Sequence, residues 1–332
     1  MTSIYDIAKQ AGVSAATVSR VINNERYVSL KTQEKVQRVL QDTGFIPNAN
    51  ASSLTKKRTN TFAVVVPDLT NPFFTEIIHG IEGQAAARKI AVIVSNTDEN
   101  IDKERKALRF LTERRVDALI IASAARSGDH IISCLGEDTP IVLLDRQPQG
   151  LKADLVRSDD HRGAEILVDY LVGLGHRKIG FIAGKRGIST TKLRLDGYRL
   201  ALEKYGLECQ AELIAQGDFK KEGGREGMLA LLALPNPPTS VIASNNLEAI
   251  GALSAIREMG LRVPEDISLV CLDDIELASL VYPFLTVVAQ PVRTMGAVAA
   301  QLALERLDGK AEQPREVVMQ MTLLERRSAG RV

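Results

Sequence analysis

Apolar residues recur every three or four positions in the first part of the chain, a spacing that predicts three short helices. The first helix ends at Gly12, the second covers residues 15–23 after Ser14, and the third lies between Ser29 and Gly44. Three helices joined through a tight glycine-containing turn are typical of a helix-turn-helix domain. A generic bundle of helices is the alternative interpretation.

From residue 62 onward, short β-branched runs alternate with amphipathic helical stretches. The predicted strands are residues 62–66, 91–95, 118–122, 141–145, 178–183, 240–244, 267–272 and 285–289. The predicted helices are residues 74–88, 102–113, 163–173, 193–205, 247–259 and 292–307. Such alternation indicates parallel sheets covered by helices, and so many units fit two lobes better than one oversized sheet. The predicted fold is therefore a small all-α helix-turn-helix head and an α/β body of two doubly wound parallel-sheet lobes.

The segment between these parts, residues 47–60, consists of small and polar residues and begins with Pro47. It reads as a linker between a head of residues 1–46 and a body of residues 61–332. Its interior can form one or two helical turns, but so short a helix is marginal alone in water. We expect it to become ordered only when something holds it.

Charge is distributed unevenly between the head and the body. The formal net charge of the 332 residues is +1, but residues 1–60 carry nine Lys or Arg against four Asp or Glu. A basic head suits a polyanion, most commonly nucleic acid. No apolar run reaches the length of a membrane span, and the N-terminus lacks the apolar stretch of a signal peptide, so we expect a cytoplasmic protein without a membrane partner.

Motifs for catalysis and for cofactor binding are missing from the sequence. It contains no phosphate-binding loop, dinucleotide fingerprint, serine-hydrolase elbow or zinc-protease motif, and its three cysteines are widely spaced without a CxxC pair. We therefore expect neither a metal nor a cofactor, and a binding protein rather than an enzyme. The pair Asp273 and Asp274 at a strand end can be read either as paired catalytic acids or as ligands for hydroxyl groups.

The chain resembles the LacI/GalR family of bacterial transcription regulators in colinear blocks: IYDIAKQAGVSAATVSRVINNERYVSLKTQEKV, GFIPNANASSL, PDLTNPFFTEIIHGIE, GHRKIGFIAG, LRLDGY, and VPEDISLVCLDD followed by YPFLTVVAQP. The resemblance implies a sequence-specific regulator of transcription, most often a repressor, that binds double-stranded operator DNA. It also implies that residues 47–60 hold a hinge helix. Residues 61–332 would then form an effector-binding and dimerisation domain of the periplasmic sugar-binding type.

In this family the second helix of the head enters the major groove, and the resemblance assigns the DNA contacts accordingly. Ala15, Ala16 and Arg20 match base-reading positions, which agrees with close approach by alanine methyl groups and with bidentate donation from arginine to guanine. The positions that match backbone, flanking or phosphate contacts are Ser14, Thr17, Ser19, Asn23, Lys31 and Thr32. Leu54 matches the hinge leucine that is inserted into the minor groove, while Ser52 stands where many members have arginine.

The resemblance also assigns an effector site between the two lobes. The matching residues are Phe73, Phe74, Asp145, Arg194, Phe219, Asn245, Asn246, Asp273 and Gln290. Carboxylates and amides can bind sugar hydroxyls, aromatic rings can pack against the sugar ring, and an arginine can clamp a carboxylate. For Phe219, packing in the core is an equal alternative. Two departures from the family pattern are Asn246, which replaces an acid, and Cys271, which replaces a glycine.

Basic residues near Arg194 in the sequence suggest what the effector is. Lys185, Arg186 and Lys192 would make this side of the cleft cationic, which predicts a sugar acid or another anionic sugar derivative. We therefore expect a repressor of a carbohydrate or sugar-acid catabolic operon, controlled allosterically by that small molecule.

Two other classes of protein can be built on the same body. A solute-binding receptor would need a signal peptide in place of the basic head, and a sugar-modifying enzyme using Asp145 and Asp273 would turn over its sugar. A homodimer is expected because two heads on a pseudo-palindromic operator require two-fold symmetry. The C-terminal sequence has no leucine heptads that would build a tetramer.

Overall fold

The computed structural model describes residues 2–22, 27–45, 58–135, 139–275 and 284–332. The chain forms two compact units, Met1–Thr59 and Asn60–Val332. Most of the predicted hinge, residues 47–57, lies outside the described residues, so the hinge helix remains a prediction.

The first unit contains helices α1 (Ile4–Ala11), α2 (Ala15–Ile22) and α3 (Leu30–Thr43). Ser3 and Asp6 form a reciprocal capping box at the start of α1, and Gly12 ends this helix with a φ of 61°. One buried cluster holds the three helices together: Ile7, Ala8, Ala11, Val18, Val21 and Val36. The apolar stripes read from the sequence are the faces that pack into this core.

The second unit contains two six-stranded sheets, each the centre of one lobe. The first lobe has the strand order β11-β5-β4-β3-β1-β2 and the second has β12-β10-β9-β8-β6-β7. The first six strands are β1 (Thr61–Val66), β2 (Ala91–Asn96), β3 (Ala118–Ile121), β4 (Ile141–Leu144), β5 (Asp154–Ser158) and β6 (Ile179–Ala183). The remaining six are β7 (Ile214–Gln216), β8 (Ser240–Ala243), β9 (Ser268–Leu272), β10 (Thr286–Ala289), β11 (Glu316–Met319) and β12 (Thr322–Leu324).

Within the described residues, all strand pairs are parallel except β10 with β12. The covering helices are α4 (Pro72–Ala87), α5 (Ile101–Glu113), α6 (Asp129–Cys134), α7 (Asp160–Gly173), α8 (Ser189–Lys204), α9 (Lys221–Leu232), α10 (Asn246–Glu258) and α11 (Val292–Leu307). Central strands are buried along their length, as parallel strands covered on both faces require. Every predicted strand and helix has a counterpart displaced by at most a few residues at either end.

The chain passes three times between the lobes. It leaves the first sheet after β5, returns after β10 when α11 packs against α4 on the first sheet, and crosses again between β11 and β12. Gln290 stands at the second crossing, directly after β10. Because the carboxyl ends of parallel strands face the crevice in such folds, the loops after these strands line the space between the lobes.

Helices α4 and α11 approach each other through glycines. A Cβ atom at Gly80 would lie 2.1 Å from the carbonyl oxygen of Arg293, and one at Gly296 would lie 2.0 Å from that of Ile77. Gly83, on the same helix as Gly80, has nothing within 4 Å of the corresponding position. Close backbone contact therefore requires glycine at two positions, while Gly83 has no such role.

We expect Gly80→Ala to lower the free energy of unfolding by about 1–3 kcal/mol, because the methyl group would force the two backbones apart. Gly83→Ala is the matched control, and it should raise the free energy of unfolding by up to about 1 kcal/mol through helix propensity alone. Urea denaturation of both variants measures the difference. Equal midpoints for the two variants would contradict close backbone packing at Gly80.

Candidate functional site

The outward face of α2 combines small side chains with one long basic one. Ser14, Ala16 and Arg20 are exposed, while Val18 and Val21 point into the head core. The other predicted positions on this helix, Ala15, Thr17 and Ser19, are half-buried. A face of this kind allows the helix backbone to come near a groove floor, because nothing bulky except Arg20 projects from it.

Hydroxyl groups cap the two helices that carry the predicted DNA contacts. The Ser14 hydroxyl accepts a hydrogen bond from the Thr17 N–H at 3.1 Å and lies 2.9 Å from the Thr17 hydroxyl. At the start of α3 the Thr32 N–H donates to the Ser29 hydroxyl at 3.3 Å, next to exposed Lys31. The predicted contacts Asn23 and Leu54 lie outside the described residues.

A small cavity of about 20 Å³ lies between the two lobes, with room for about one water molecule. It is lined by Asp68, Asn71, Phe73, Phe74, Glu99, Asp145, Arg146, Thr190, Arg194, Phe219, Lys220, Asn245 and Asp273, and we call it the cleft. Seven of the nine predicted effector residues are in this lining. The other two are one hydrogen bond away: Asn246 Nδ2 donates to Asn71 Oδ1 at 3.1 Å, and Gln290 Nε2 donates to Asp273 Oδ1 at 2.5 Å.

Three residues of the cleft have left-handed backbone conformations. The φ angles are 62° at Asp145, 68° at Phe219 and 70° at Asp273. For residues other than glycine this conformation costs about 1–2 kcal/mol each, and it persists only where the surroundings impose it. The backbone N–H groups of Asp145 and Asp273 donate to the neighbouring strands at 2.8 and 3.0 Å. Asp145 and Asp273 are thus held at the strand ends by the sheets themselves.

Arg194 holds the carboxylates on the second-lobe side of the cleft. Its Nε donates to Asp160 Oδ1 at 2.6 Å, an Nη1 proton is donated to the Ser244 carbonyl, and Asp273 Oδ2 lies 3.5 Å away. Burial raises the pKa of Asp160, although Arg194 opposes the shift. Carboxylates in turn raise the pKa of Arg194 despite its burial. The charge of Arg194 is therefore already balanced within the protein.

Arg146 and Glu99 form a second buried pair on the first-lobe side. Arg146 donates to both Glu99 carboxylate oxygens, at 2.6 and 3.0 Å, and its guanidinium carbon lies 5.1 Å from the centre of the Phe219 ring. Lys185 of the second lobe donates to the Glu99 carbonyl at 2.7 Å. Burial alone would raise the pKa of Glu99, but the charges and hydrogen bonds of Arg146 and Lys185 together outweigh it, and the pKa lies below its ordinary value. Glu99 therefore connects the lobes electrostatically.

Asp145 differs from the other acids of the cleft because it lacks a strong partner. Its Oδ1 makes no hydrogen bond with any described residue, and its Oδ2 lies 3.9 Å from Arg146 Nε. Burial, followed by repulsion from Asp160, raises the pKa of Asp145 to about 7. A buried acceptor of this kind is ready to bind a donor on a ligand.

Comparison with known proteins identifies the family. Two family models match: bacterial regulatory proteins of the lacI family over residues 3–48, and a periplasmic binding protein-like domain over residues 168–329. The HTH-type transcriptional regulator DegA of Bacillus subtilis (strain 168) is 37% identical over 332 residues, covering 99% of this chain and 98% of DegA. The chain belongs to the lacI family of bacterial regulatory proteins.

Two further relatives of this lacI-family chain cover its whole length. The HTH-type transcriptional repressor PurR of Pasteurella multocida (strain Pm70) is 35% identical, covering 99% of this chain and 98% of PurR. A solved structure of the Lac repressor dimer bound to operator and the anti-inducer ONPF has a TM-score of 0.87 at 30% identity, covering 99% of both chains. The resemblance and the fold class stated from the sequence are confirmed. The chain is a DNA-binding transcription regulator and not an enzyme, as we expected, and the alternative of a sugar-modifying enzyme is excluded.

One step of the sequence argument about the effector was also wrong. Arg186 and Lys192 do not line the cleft; they line a separate cavity beyond α8. Lys185 is held by Glu99, and Arg194 by Asp160 and Asp273. The cleft is therefore not the cationic surface that the sequence suggested.

Several residues of the lining were not predicted as effector contacts. Asp68, Asn71 and Arg146 lie in the loops that follow β1 and β4, and no sequence motif marks Glu99 or Lys220. Lys220 follows β7, a strand of three residues that is too short to be recognised from its sequence. Thr190 lies in the first turn of α8, one turn before Arg194, and that helical spacing is the signal that could have found it.

No helix in the described part of the chain has both the length and the apolar composition needed to cross a bilayer. Within the same residues, no group of three or more His, Cys, Asp and Glu side chains is arranged to hold a metal ion.

Glu248 lies beneath the cleft and supports it. Its carboxylate accepts from the Ser244 hydroxyl at 2.5 Å and from the Phe219 N–H at 2.9 Å, so it fixes the left-handed turn at Phe219. Burial raises the pKa of Glu248 to about 8, more than these hydrogen bonds lower it. The folded protein therefore keeps a proton on Glu248 that the unfolded chain loses near the ordinary pKa of 4.5.

A raised carboxyl pKa stabilises the folded state below pH 4.5, and this contribution is lost as the pH rises towards 8. We expect the free energy of unfolding to fall by at most about 1.4 kcal/mol per pH unit in this window because of Glu248. Glu248→Gln cannot ionise and should show a shallower fall between pH 5 and pH 8 in urea denaturation. The control is Glu258→Gln on the same helix, where a hydrogen bond from Arg225 lowers the pKa. It should keep the wild-type slope, and an unchanged slope in Glu248→Gln would refute the assignment.

Proposed function

We propose that this regulator is a repressor of a carbohydrate catabolic operon that acts as a cytoplasmic homodimer on a pseudo-palindromic operator. Its effector binds in the cleft, which must widen beyond its volume of about 20 Å³ to admit a sugar, and this binding lowers the affinity of the heads for DNA. Such control is a coupling free energy between two sites with two states of the body. The observation that carries the proposal is the set of buried hydrogen-bond acceptors around the cleft.

Buried polar atoms without a partner among the described residues are mostly acceptors in this region. They are Asp145 Oδ1, Asp160 Oδ2, Asn246 Oδ1 and Gln290 Oε1, whereas Arg146 Nε is the donor. Acceptors need O–H or N–H donors, and sugar hydroxyls supply several of them at once. The rings of Phe73 and Phe74, 4.9 Å apart and nearly perpendicular, add an apolar wall.

The charges in the lining support a neutral sugar over a sugar acid. Four carboxylates line the cleft, those of Asp68, Glu99, Asp145 and Asp273. Three cations, Arg146, Arg194 and Lys220, face them, and the first two are already paired. A ligand carboxylate would add another negative charge to this buried region, which costs free energy unless a cation is released for it.

In the head, we propose that Ala15, Ala16 and Arg20 read base edges and that Ser14, Thr17, Ser19, Asn23, Lys31 and Thr32 position the helix on the backbone. The exposed small-residue face of α2 supports this assignment. Leu54 is proposed to act as an apolar wedge in the minor groove, where partial unstacking bends the duplex.

We expect Arg20→Ala and Lys31→Ala to weaken operator binding in different ways. Loss of a bidentate contact to guanine should cost about 1–3 kcal/mol and relax specificity at one position of each half-site. Loss of the phosphate contact in Lys31→Ala should weaken binding to all DNA sequences equally. It should also make the plot of the logarithm of the binding constant against the logarithm of salt concentration shallower by about one unit of slope. Fluorescence anisotropy with an operator selected from random DNA, and with single-base variants of it, measures both. A uniform loss of affinity in Arg20→Ala would remove Arg20 from base reading.

We expect neutral monosaccharides or disaccharides to raise the melting temperature more than aldonic or ketoaldonic acids do. A ligand at 100 times its Kd adds about 2.7 kcal/mol of stability. Purine bases are the third class of compound in these melting measurements, because PurR is among the relatives. A shift by sugar acids or purines alone would overturn the proposed ligand class.

At pH 8, above the raised pKa of about 7 of Asp145, the identified ligand should bind Asp145→Asn at least tenfold more weakly, because a hydrogen bond to a charged group contributes about 1.5–3 kcal/mol. Asp102→Asn is the control, since Asp102 is exposed on α5 and should leave affinity unchanged. Titration calorimetry gives both affinities. Equal affinity in the two variants would place the ligand outside the cleft.

A further inference from the structure

A second and larger cavity of about 700 Å³ lies on the other side of α8 from the cleft. Both lobes contribute to it: Arg126, Gln147 and Gln149 come from loops of the first, while Arg186 and Lys192 come from the second. We call it the basic cavity. The effector mechanism proposed above uses none of its side chains.

The charge of the basic cavity is strongly one-sided. Four cationic side chains, those of Arg126, Arg186, Lys192 and Arg199, stand against a single carboxylate, Asp196. Asp196 lies 3.7 Å from Arg199. Arg126, Arg186 and Lys192 form no ion pair with any residue that the structure describes. Unneutralised cations around one concave surface repel each other and concentrate anions there.

The remainder of the lining suits an organic molecule better than a bare ion. Ala183, Ile188, Leu195, Ala211 and Ile214 supply an apolar surface. The side-chain amides of Gln147 and Gln149 stand beside it and can bind hydroxyl groups. An apolar surface with a few convergent polar groups is typical of small-molecule sites.

Helix α8 separates the two cavities. Thr190 and Arg194 line the cleft, whereas Thr191, Lys192 and Leu195 line the basic cavity. Residues that are one or two positions apart on a helix lie on different faces, so each face serves a different cavity. A ligand of the basic cavity would therefore contact none of the carboxylates of the cleft.

We propose that the basic cavity is a second ligand site that binds a small phosphorylated organic molecule. A phosphate ester carries up to two charges and several acceptor oxygens, which arginine side chains can bind in bidentate fashion. The first lobe supplies one of the unpaired cations, Arg126, and the second supplies Arg186 and Lys192. The anion thus connects the two lobes at a place that is separate from the sugar site.

The test uses phenyl phosphate, inorganic phosphate and phenol as probes in titration calorimetry with the full chain at fixed ionic strength. We expect phenyl phosphate to bind more tightly than either of the other two. The double variant Arg186→Ala and Lys192→Ala should weaken phenyl phosphate binding at least tenfold. The matched control is the double variant Lys106→Ala and Arg109→Ala, which removes the same two charges from exposed positions of α5 and should bind as the wild type does.

Both double variants keep the basic head unchanged, so any phenyl phosphate that binds there contributes equally to both titrations. The difference in affinity between the two variants therefore reports on the basic cavity alone. Absence of phenyl phosphate binding, or an equal loss in both double variants, would overturn the proposal. Equal affinities for phenyl phosphate and inorganic phosphate would contradict the proposal that the ligand is an organic molecule. The sugar-induced melting shift of Arg186→Ala and Lys192→Ala should equal that of the wild type. Calorimetry with phenyl phosphate therefore tests the basic cavity, and the melting shift with sugars tests the cleft, so either proposal can fail without the other.

Discussion

One buried cation, Arg194, makes the junction between the lobes possible. Its guanidinium donates to Asp160 and stands beside Asp273, and its charge also acts on Asp145 across the cleft. Three carboxylates placed so closely away from water would otherwise have to take up protons or separate. Breaking such a network by removing the cation leaves unpaired charges in the interior, which is far more costly than never building it.

The same arginine connects α8 to Asp160 and to the Ser244 carbonyl, and this helix divides the space between the lobes into two regions. On one side carboxylates and amides dominate; on the other, cations do. The first lobe contributes Glu99 and Arg146 to the first region and Arg126 to the second. Both regions can therefore respond to a change in the distance between the lobes.

The sequence predicted eight of the twelve strands that the structure describes, because buried parallel strands are continuous β-branched runs. It did not predict β5, β7, β11 and β12. Helix α9 was not predicted, since Gly223, Gly224 and Gly227 lower its helix propensity. Its formation depends on tertiary packing: a Cβ at Gly224 would lie 2.1 Å from the Glu248 carbonyl oxygen, so glycine permits α9 and α10 to touch. Local sequence alone does not contain that contact.

Family resemblance located most of the cleft but not its charge balance. Lys192 and Arg194 are two positions apart on one helix, and helical geometry places them on different faces. The sequence alone therefore contained the reason why Lys192 and Arg194 do not both line the cleft. The pairing of Glu99 with Arg146 could not be predicted in this way, because the two residues are 47 positions apart and meet through sheet topology.

The last crossing of the chain has a consequence for biosynthesis. Strand β11 pairs with β5 at the edge of the first sheet, and β12 pairs with β10 at the edge of the second. Residues 316–324 thus complete both lobes, although β5 precedes β11 by about 160 positions. In a nascent chain that lacks this segment, the largely buried strands β5 and β10 become the edges of their sheets, and exposed apolar edges invite pairing with other chains. The outer strand of neither sheet can be added until residues 316–324 have been synthesised.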